Sequence, residues 1–264
     1  MAIAGFCLTE ITLLKFGVTN GYSSIFIFFS IILTYNFIGY YEIKTNNVHW
    51  IKEWYKQYRT KIILLCGFSI LGLGYSFFYT DFNNITLIIL LLFSIIALFY
   101  VIPIFNWRSF EFSFRNFPGL KIFSISVTWA GMTVLFPLSE ANYTLNCSVV
   151  LEFVQRIIFI IIITLPFDIR DIYDDPEKLK TIPQVIGIGK TKVLGYFLIL
   201  FFVLLDILKY EKFSNEIVVI ILVAIVCGLV LVYVTPNRSR YFTVFLVEGI
   251  PVLWFGLYLF LELY

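Results

Sequence analysis

Apolar runs close to twenty residues long recur along this chain from end to end, and no other feature restricts its fold so tightly. A hydrocarbon core about 30 Å thick is crossed by roughly 20 residues of helix, because backbone polar groups in lipid must be satisfied within the segment. Nine such runs can be drawn, at 2–17, 22–42, 61–79, 84–104, 120–138, 149–167, 192–208, 216–234 and 243–262. The first, sixth and seventh are short or interrupted, which leaves eight as the alternative count. With 60% hydrophobic residues, 14% charged and a mean hydropathy of +0.92, lipid rather than water is the solvent these runs suit. The expected fold is therefore all-α, a polytopic membrane bundle of about nine transmembrane helices. No linker or low-complexity stretch interrupts it, so residues 1–264 read as a single integral membrane domain.

Basic residues give the expected orientation. Lys44, Lys52, Lys56, Arg59 and Lys61 follow run two, and Arg108, Arg115 and Lys121 follow run four. Arg170, Lys178, Lys180, Lys190 and Lys192 follow run six, and Arg238 and Arg240 follow run eight. The alternate side has only Lys15, Arg156, Lys209 and Lys212. The positive-inside rule then places the even-numbered connections and the N-terminus in the cytoplasm and the C-terminus outside. The expected location is a membrane of the bacterial inner type. The segment 44–60 interleaves Trp50, Ile51, Trp54, Tyr55 and Tyr58 with lysines, as an amphipathic helix at the cytoplasmic interface does, whether it anchors there or caps a cavity.

Several chemistries fall away early. A net charge of +2 points to no nucleic-acid partner. Cys7, Cys66, Cys147 and Cys227 are far apart with no CxxC pair, and read as apolar residues rather than disulfides or metal ligands. His49 is the only histidine, which excludes a zinc site built on several imidazoles. Glu10, Asp206 and Glu248 lie within runs without proton-relay spacing, each expected near a helix end or paired locally. A transporter is thus poorly supported.

One stretch is dense in chemistry. After run six the chain reads LPFDIRDIYDDPEKLKTIPQVIGIGKTK, and this loop, about 168–191, places Asp168, Asp171, Asp174, Asp175 and Glu177 within ten residues. If the helix continues past Pro166, then Asp168, Asp171 and Asp175 share one helical face. Crowded carboxylates raise one another's pKa unless positive charge compensates. Oxygen ligands without imidazole or thiolate suit a hard dication, and Mg²⁺ binds through few carboxylates while keeping positions for water and phosphate. Arg170, Lys178, Lys180, Lys190 and Lys192 would take the remaining oxygens of an anion so bridged. A solvated loop that merely stays out of lipid is the competing reading. Against it, Thr181, Pro183, Gly187 and Gly189 specify a tight return into the next helix.

The run DIRDIYDDPEKLKTIPQVIG resembles the second aspartate-rich motif of the UbiA superfamily of intramembrane prenyltransferases, matching at Arg170, Asp171, Asp175, Lys180, Thr181, Pro183 and Gly187. The family's architecture, nine helices with acidic motifs at the cytoplasmic ends of helices two and six, agrees with the expected topology. Its first motif should close helix two, where this chain keeps Asn36 but has Phe37, Tyr40 and Lys44 in place of acids, with Glu42 displaced in register. A fainter echo is Tyr100-x-x-Pro103 followed by Arg108.

The resemblance implies a UbiA-like fold and Mg²⁺-dependent transfer of an isoprenyl group from a prenyl diphosphate to a lipophilic, aromatic acceptor. It implies Asp171 and Asp175 as catalytic residues, with Asp168, Asp171, Asp175 and Glu42 on the metal. Arg170, Lys180, Arg108 and Asn36 would bind the diphosphate, and Tyr40 or Tyr41 could replace a missing ligand. The alternative function is a non-catalytic relative that binds prenyl diphosphate or lipid without transfer.

Overall fold

The computed structural model describes residues 1–19, 22–46, 49–103, 105–107, 110–115, 119–176, 179–209, 215–239 and 241–262. In chain order the helices begin with α1 (Ala2–Lys15), α2 (Tyr22–Asn46), α3 (His49–Gln57), α4 (Arg59–Tyr79) and α5 (Asn84–Val101). A two-stranded antiparallel ribbon, β1 (Phe105–Trp107) with β2 (Phe110–Phe112), pairs Phe105 with Phe112. Then come α6 (Leu120–Ala130), a π-helical turn at Gly131–Leu135, α7 (Phe136–Glu140), α8 (Cys147–Arg170), α9 (Ile182–Ile186), α10 (Ile188–Lys209) and α11 (Asn215–Tyr233). A second π turn, Phe242–Val247, leads into α12 (Glu248–Glu262). The amphipathic segment around 44–60 contains α3 as a separate short helix.

Among the described residues eight helices are long and apolar enough to cross a bilayer: α2, α4, α5, the continuous 120–140 helix, α8, α10, α11 and the 242–261 helix. This is the polytopic helical bundle that the hydropathy pattern demands. Runs six and seven, short by sequence, are helices of 24 and 22 residues. The first run is the exception. α1 has 14 residues, about 21 Å at the α-helical rise, and is packed inside the bundle against α2 and α12. Leu8 and Ile11 are wholly buried. Its apolarity serves contact with protein rather than with lipid.

Local sequence fixes several helix starts. Asn83 caps α5 by accepting the Thr86 N–H at 2.8 Å, and Asn146 caps α8 by accepting the Val149 N–H at 3.1 Å. Such caps satisfy amide groups that a helix start leaves without partners. Glycines permit close helix approach, as membrane bundles require where the hydrophobic effect does not drive helices together. A Cβ on Gly131 would lie 2.1 Å from the Phe93 ring, one on Gly72 would lie 2.3 Å from Phe29, and one on Gly5 would lie 2.1 Å from Ile31. Because Phe93 is itself buried, Gly131→Ala is expected to cost about 1–3 kcal/mol of overpacking strain. A thermal unfolding midpoint unchanged from wild type would refute that contact.

Two polar layers lie at opposite ends of α8. Glu152 and Asp168 are its markers, 16 residues apart in one helix, about 24 Å along the axis. The layer at Glu152 is a buried charge network between α1, α8 and α10. Glu152 accepts from Lys209 at 2.6 Å, Lys15 at 3.2 Å and Arg156 at 3.1 Å. Arg156 also donates to the Leu8 carbonyl at 2.8 Å and to Thr12 at 3.1 Å. Asp206 lies 3.6 Å from both Lys15 and Lys209, and Gln155 ties it to α8 at 3.1 Å. Lys15 and Arg156 both stand over the Trp254 ring, whose other neighbours are the rings of Phe159 and Phe202. Trp254 thus closes the aromatic core beneath the charges. Lys15, Arg156 and Lys209, counted by sequence only as basic charge on the alternate side, are here interior ties.

Candidate functional site at the acidic end of α8

α8 runs unbroken through Pro166 to Arg170, although proline gives up an amide bond there. Asp168 consequently stays on the helix, 3% exposed. The expected single face of Asp168, Asp171 and Asp175 does not form. Asp171 is already the C-cap, and its carbonyl accepts the amide N–H groups of Asp174 at 2.9 Å and Asp175 at 2.8 Å. The chain therefore turns instead of adding the helical turn that would align all three.

The turn nevertheless brings Asp175 back beside Asp168. Lys121, in the first turn of α6, donates to Asp168 at 2.9 Å and to Asp175 at 3.3 Å, its ammonium bridging the two carboxylates. Asp171 has a different partner: Arg170 grips both its oxygens, at 2.6 and 2.5 Å. Arg170 also donates to the Thr243 hydroxyl and lies over the Phe167 ring. Asp174 is exposed.

The KTIPQVIG tail after the acids has a mechanical role. Gln184 donates to the Asp175 carbonyl at 2.9 Å while accepting the Thr181 N–H at 2.9 Å. Gly187 then turns the chain at φ +83 into α10, a conformation open to glycine and costly for side chains with a Cβ. α9 is thereby a brace that holds Asp175 at the mouth of the site.

Two cavities meet behind these groups. The smaller, about 180 Å³, is lined by Lys121, Asp168, Asp171, Phe167 and Glu248, among others. The larger, about 550 Å³, is walled by α2, α5 and the 120–140 helix, with Phe26, Ile31, Phe93, Ala97 and Met132 among its lining. Tyr35 and Trp129 line both. Tyr35 lies beside Trp129, with Tyr100 and Glu248 nearby. A mainly apolar compartment that carries Lys121, Asp168, Asp171 and Glu248 therefore adjoins the larger apolar one across a single aromatic pair.

The remaining expected residues are placed as follows. Asn36 lines neither cavity: its amide donates to the Ile32 carbonyl at 2.8 Å within α2, and its own carbonyl accepts from Tyr55 of α3. Tyr40 is 63% exposed. Lys180 is exposed, at φ +44, and lines neither cavity. Arg108 and the Glu42 side chain lie outside the described residues. By sequence Lys121 counts only as a cytoplasmic loop charge and Glu248 only as an acid near a helix end, and Tyr35 and Trp129 are not singled out. For Tyr35 a signal existed, since Ile27, Ile31, Thr34, Tyr35 and Ile38 recur at helical spacing along one face of α2.

The donor set can be compared with the demands of Mg²⁺. Asp168 and Asp175 already flank a cation, and a dication in the place of the Lys121 ammonium would have two carboxylates and room for phosphate and water. Asp171 does not join them while Arg170 holds both its oxygens. No group of three or more acid, histidine or cysteine side chains converges as a metal cage among the described residues. The residues thus fit a metal shared with a phosphate ligand and not one enclosed by protein alone.

Comparison of the chain with family models, with curated proteins and with solved structures gave no match.

Proposed function

We propose that the protein is a membrane-embedded prenyltransferase of the UbiA kind, moving an isoprenyl group from a prenyl diphosphate to a lipophilic aromatic acceptor with Mg²⁺. The observation that supports this most is the meeting of the smaller, acid-bearing cavity and the larger apolar one at Tyr35 and Trp129. An amphiphile with a polyanionic head and an apolar tail fits that pair of compartments. Asp168, Asp171 and Glu248 face the smaller cavity with Lys121, Arg170 and the Met1 ammonium already paired to them, so a cation bound with the diphosphate would supply charge that these pairs leave uncommitted. Orientation by the positive-inside rule puts this end of the bundle in the cytoplasm.

In this reading Asp168 and Asp175 would hold Mg²⁺, which when bound supplies positive charge to the leaving diphosphate. Lys121, released from its two carboxylates, and Arg170 offer N–H donors to phosphate oxygens. Breaking the carbon–oxygen bond leaves its electron pair on the diphosphate. The Tyr35 and Trp129 rings stand where the tail begins, and their faces stabilise positive charge developing on the allylic carbons while keeping water away. An acceptor carbon forms the new bond and gives up its proton to the released diphosphate.

A specific observation favours a second reading, in which the amphiphile binds and no transfer follows. The place of the family's first acidic motif carries Asn36, Phe37 and Tyr40, and the Asn36 amide is engaged within α2, donating to the Ile32 carbonyl. One experiment separates the two. Purified protein in lipid nanodiscs receives radiolabelled farnesyl diphosphate, Mg²⁺ and a phenolic acceptor. Transfer predicts a labelled lipid product that falls at least about a hundredfold in Asp175→Ala, the scale of losing a charge-stabilising group. Binding without product selects the second reading, and absence of both overturns each.

A further inference from the structure

The buried charge layer at the Glu152 end of α8 takes no part in the function proposed above, and it leaves four polar atoms unused. Arg156 Nε and the Trp254 indole N–H are buried donors with no acceptor among the described residues, and Asp206 Oδ2 and Glu216 Oε2 are buried acceptors with no donor. The other polar atoms of these side chains are engaged. Arg156 donates through both terminal nitrogens, Asp206 accepts from Gln155 through Oδ1, and Glu216 accepts from Tyr258 at 3.0 Å. Arg156, Asp206 and Trp254 are 0% exposed, so bulk solvent does not reach them, and a buried polar atom left without a hydrogen bond is costly.

The four atoms come from four helices and share one neighbour, Lys15. Its ammonium lies 3.6 Å from Asp206 and 5.4 Å from the centre of the Trp254 ring, over which Arg156 also stands at 5.1 Å. Its charge acts on Glu216 as well. What these groups offer defines their guest. In their ordinary ionisation states Lys15, Arg156 and Lys209 balance Glu152, Asp206 and Glu216, so the layer attracts neither an anion nor a cation. Two unused donors and two unused acceptors call for a molecule that both accepts and donates, and water does both. The four residues line neither cavity. Leu8, whose carbonyl accepts from Arg156, is wholly buried and lines the smaller cavity, so it marks the boundary between that cavity and this layer.

We propose that this layer binds ordered water, about one or two molecules bridging Arg156, Asp206, Glu216 and Trp254, since a buried water makes about three hydrogen bonds. The water is a polar hub between α8, α10, α11 and α12. Through Glu216 it brings α11 into the charge layer built by α1, α8 and α10. The three cation contacts of Glu152 stay as they are.

X-ray radiolytic footprinting of the whole protein in lipid nanodiscs tests this, because hydroxyl radicals born from a bound water oxidise the side chains beside it. Corrected for intrinsic reactivity, Trp254 is expected to be oxidised at least about tenfold faster than Phe136, an equally buried ring, since an apolar site stays dry. Phe136 also reports any opening of the bundle to bulk water. Water-edited solid-state NMR of protein with isotope-labelled tryptophan is the second readout. The Trp254 indole N–H, assigned by its loss in Trp254→Phe, should draw magnetisation from water as the exposed Trp54 does. A Trp254 oxidised no faster than Phe136, or an indole that draws nothing from water, would overturn the water site. Either result would leave the prenyl transfer reading as it stands, because no substrate enters the experiment.

Discussion

Replacing Glu152 by Gln is expected to lower the thermal unfolding midpoint of the detergent-solubilised protein by about 10 °C or more. The substitution keeps the shape of the side chain and removes the charge that Lys15, Arg156 and Lys209 share at 3.2, 3.1 and 2.6 Å. Those cations are 2%, 0% and 6% exposed, so they cannot exchange the lost carboxylate for water. Asp206 alone would then face three positive charges. Removing one partner from a buried ion pair costs about 3–5 kcal/mol, and each kcal/mol moves the midpoint of a chain this size by about 2–4 °C. Asp174→Asn, at an exposed position of the acidic loop, is the control and should stay within about 0.5 kcal/mol of wild type. Combining Glu152→Gln with Lys209→Met, which restores the charge balance, should recover part of the loss. A Glu152→Gln midpoint within about 2 °C of wild type would show that the network is not a structural tie.

That network also marks the limit of what could be read from the chain. Helices are written in hydropathy, and the runs from 22 onward became helices close to where the apolar stretches lie. The pairs Glu152–Arg156 and Asp206–Lys209 have helical spacing and could be foreseen as local partners. Their closure into one cluster with Lys15 could not, because it depends on α1 packing inside the bundle. Counting Lys15, Arg156 and Lys209 only as basic charge on the alternate side gave a usable orientation rule and concealed their burial.

The acidic loop was legible as a place and less so as a geometry. Asp168 and Asp175 come together not on a helical face but through a turn after Arg170 and by way of Lys121, which is 47 residues from Asp168 in sequence. Pattern reading assumes that a helix persists, and the Asp171 carbonyl, taken by two amides, ended it. Asn36 was chosen by motif position, whereas the neighbouring Tyr35 lines the cavities. One residue along a helix is a rotation of about 100°, enough to exchange a lining side chain for one that bonds back to its own helix.

The second large effect concerns Asp168. It is the one acid of the site that is buried on the helix itself, and it anchors Lys121. Asp168→Asn keeps the volume and removes the charge on which a bridging cation depends. Lys121 is 21% exposed and can turn toward solvent, so stability should change little, by about 1 kcal/mol or less. Ligand binding should change far more, because each diphosphate contact routed through that charge is lost together. A drop of at least about a hundredfold in affinity is expected, about 3 kcal/mol.

The most direct measurement is equilibrium binding of radiolabelled farnesyl diphosphate to the purified protein in nanodiscs, with Mg²⁺ and with EDTA, for wild type and Asp168→Asn. The account predicts saturable binding to wild type that requires Mg²⁺ and is absent from Asp168→Asn. Equal binding with and without Mg²⁺, or unchanged binding by a folded Asp168→Asn protein, would contradict it.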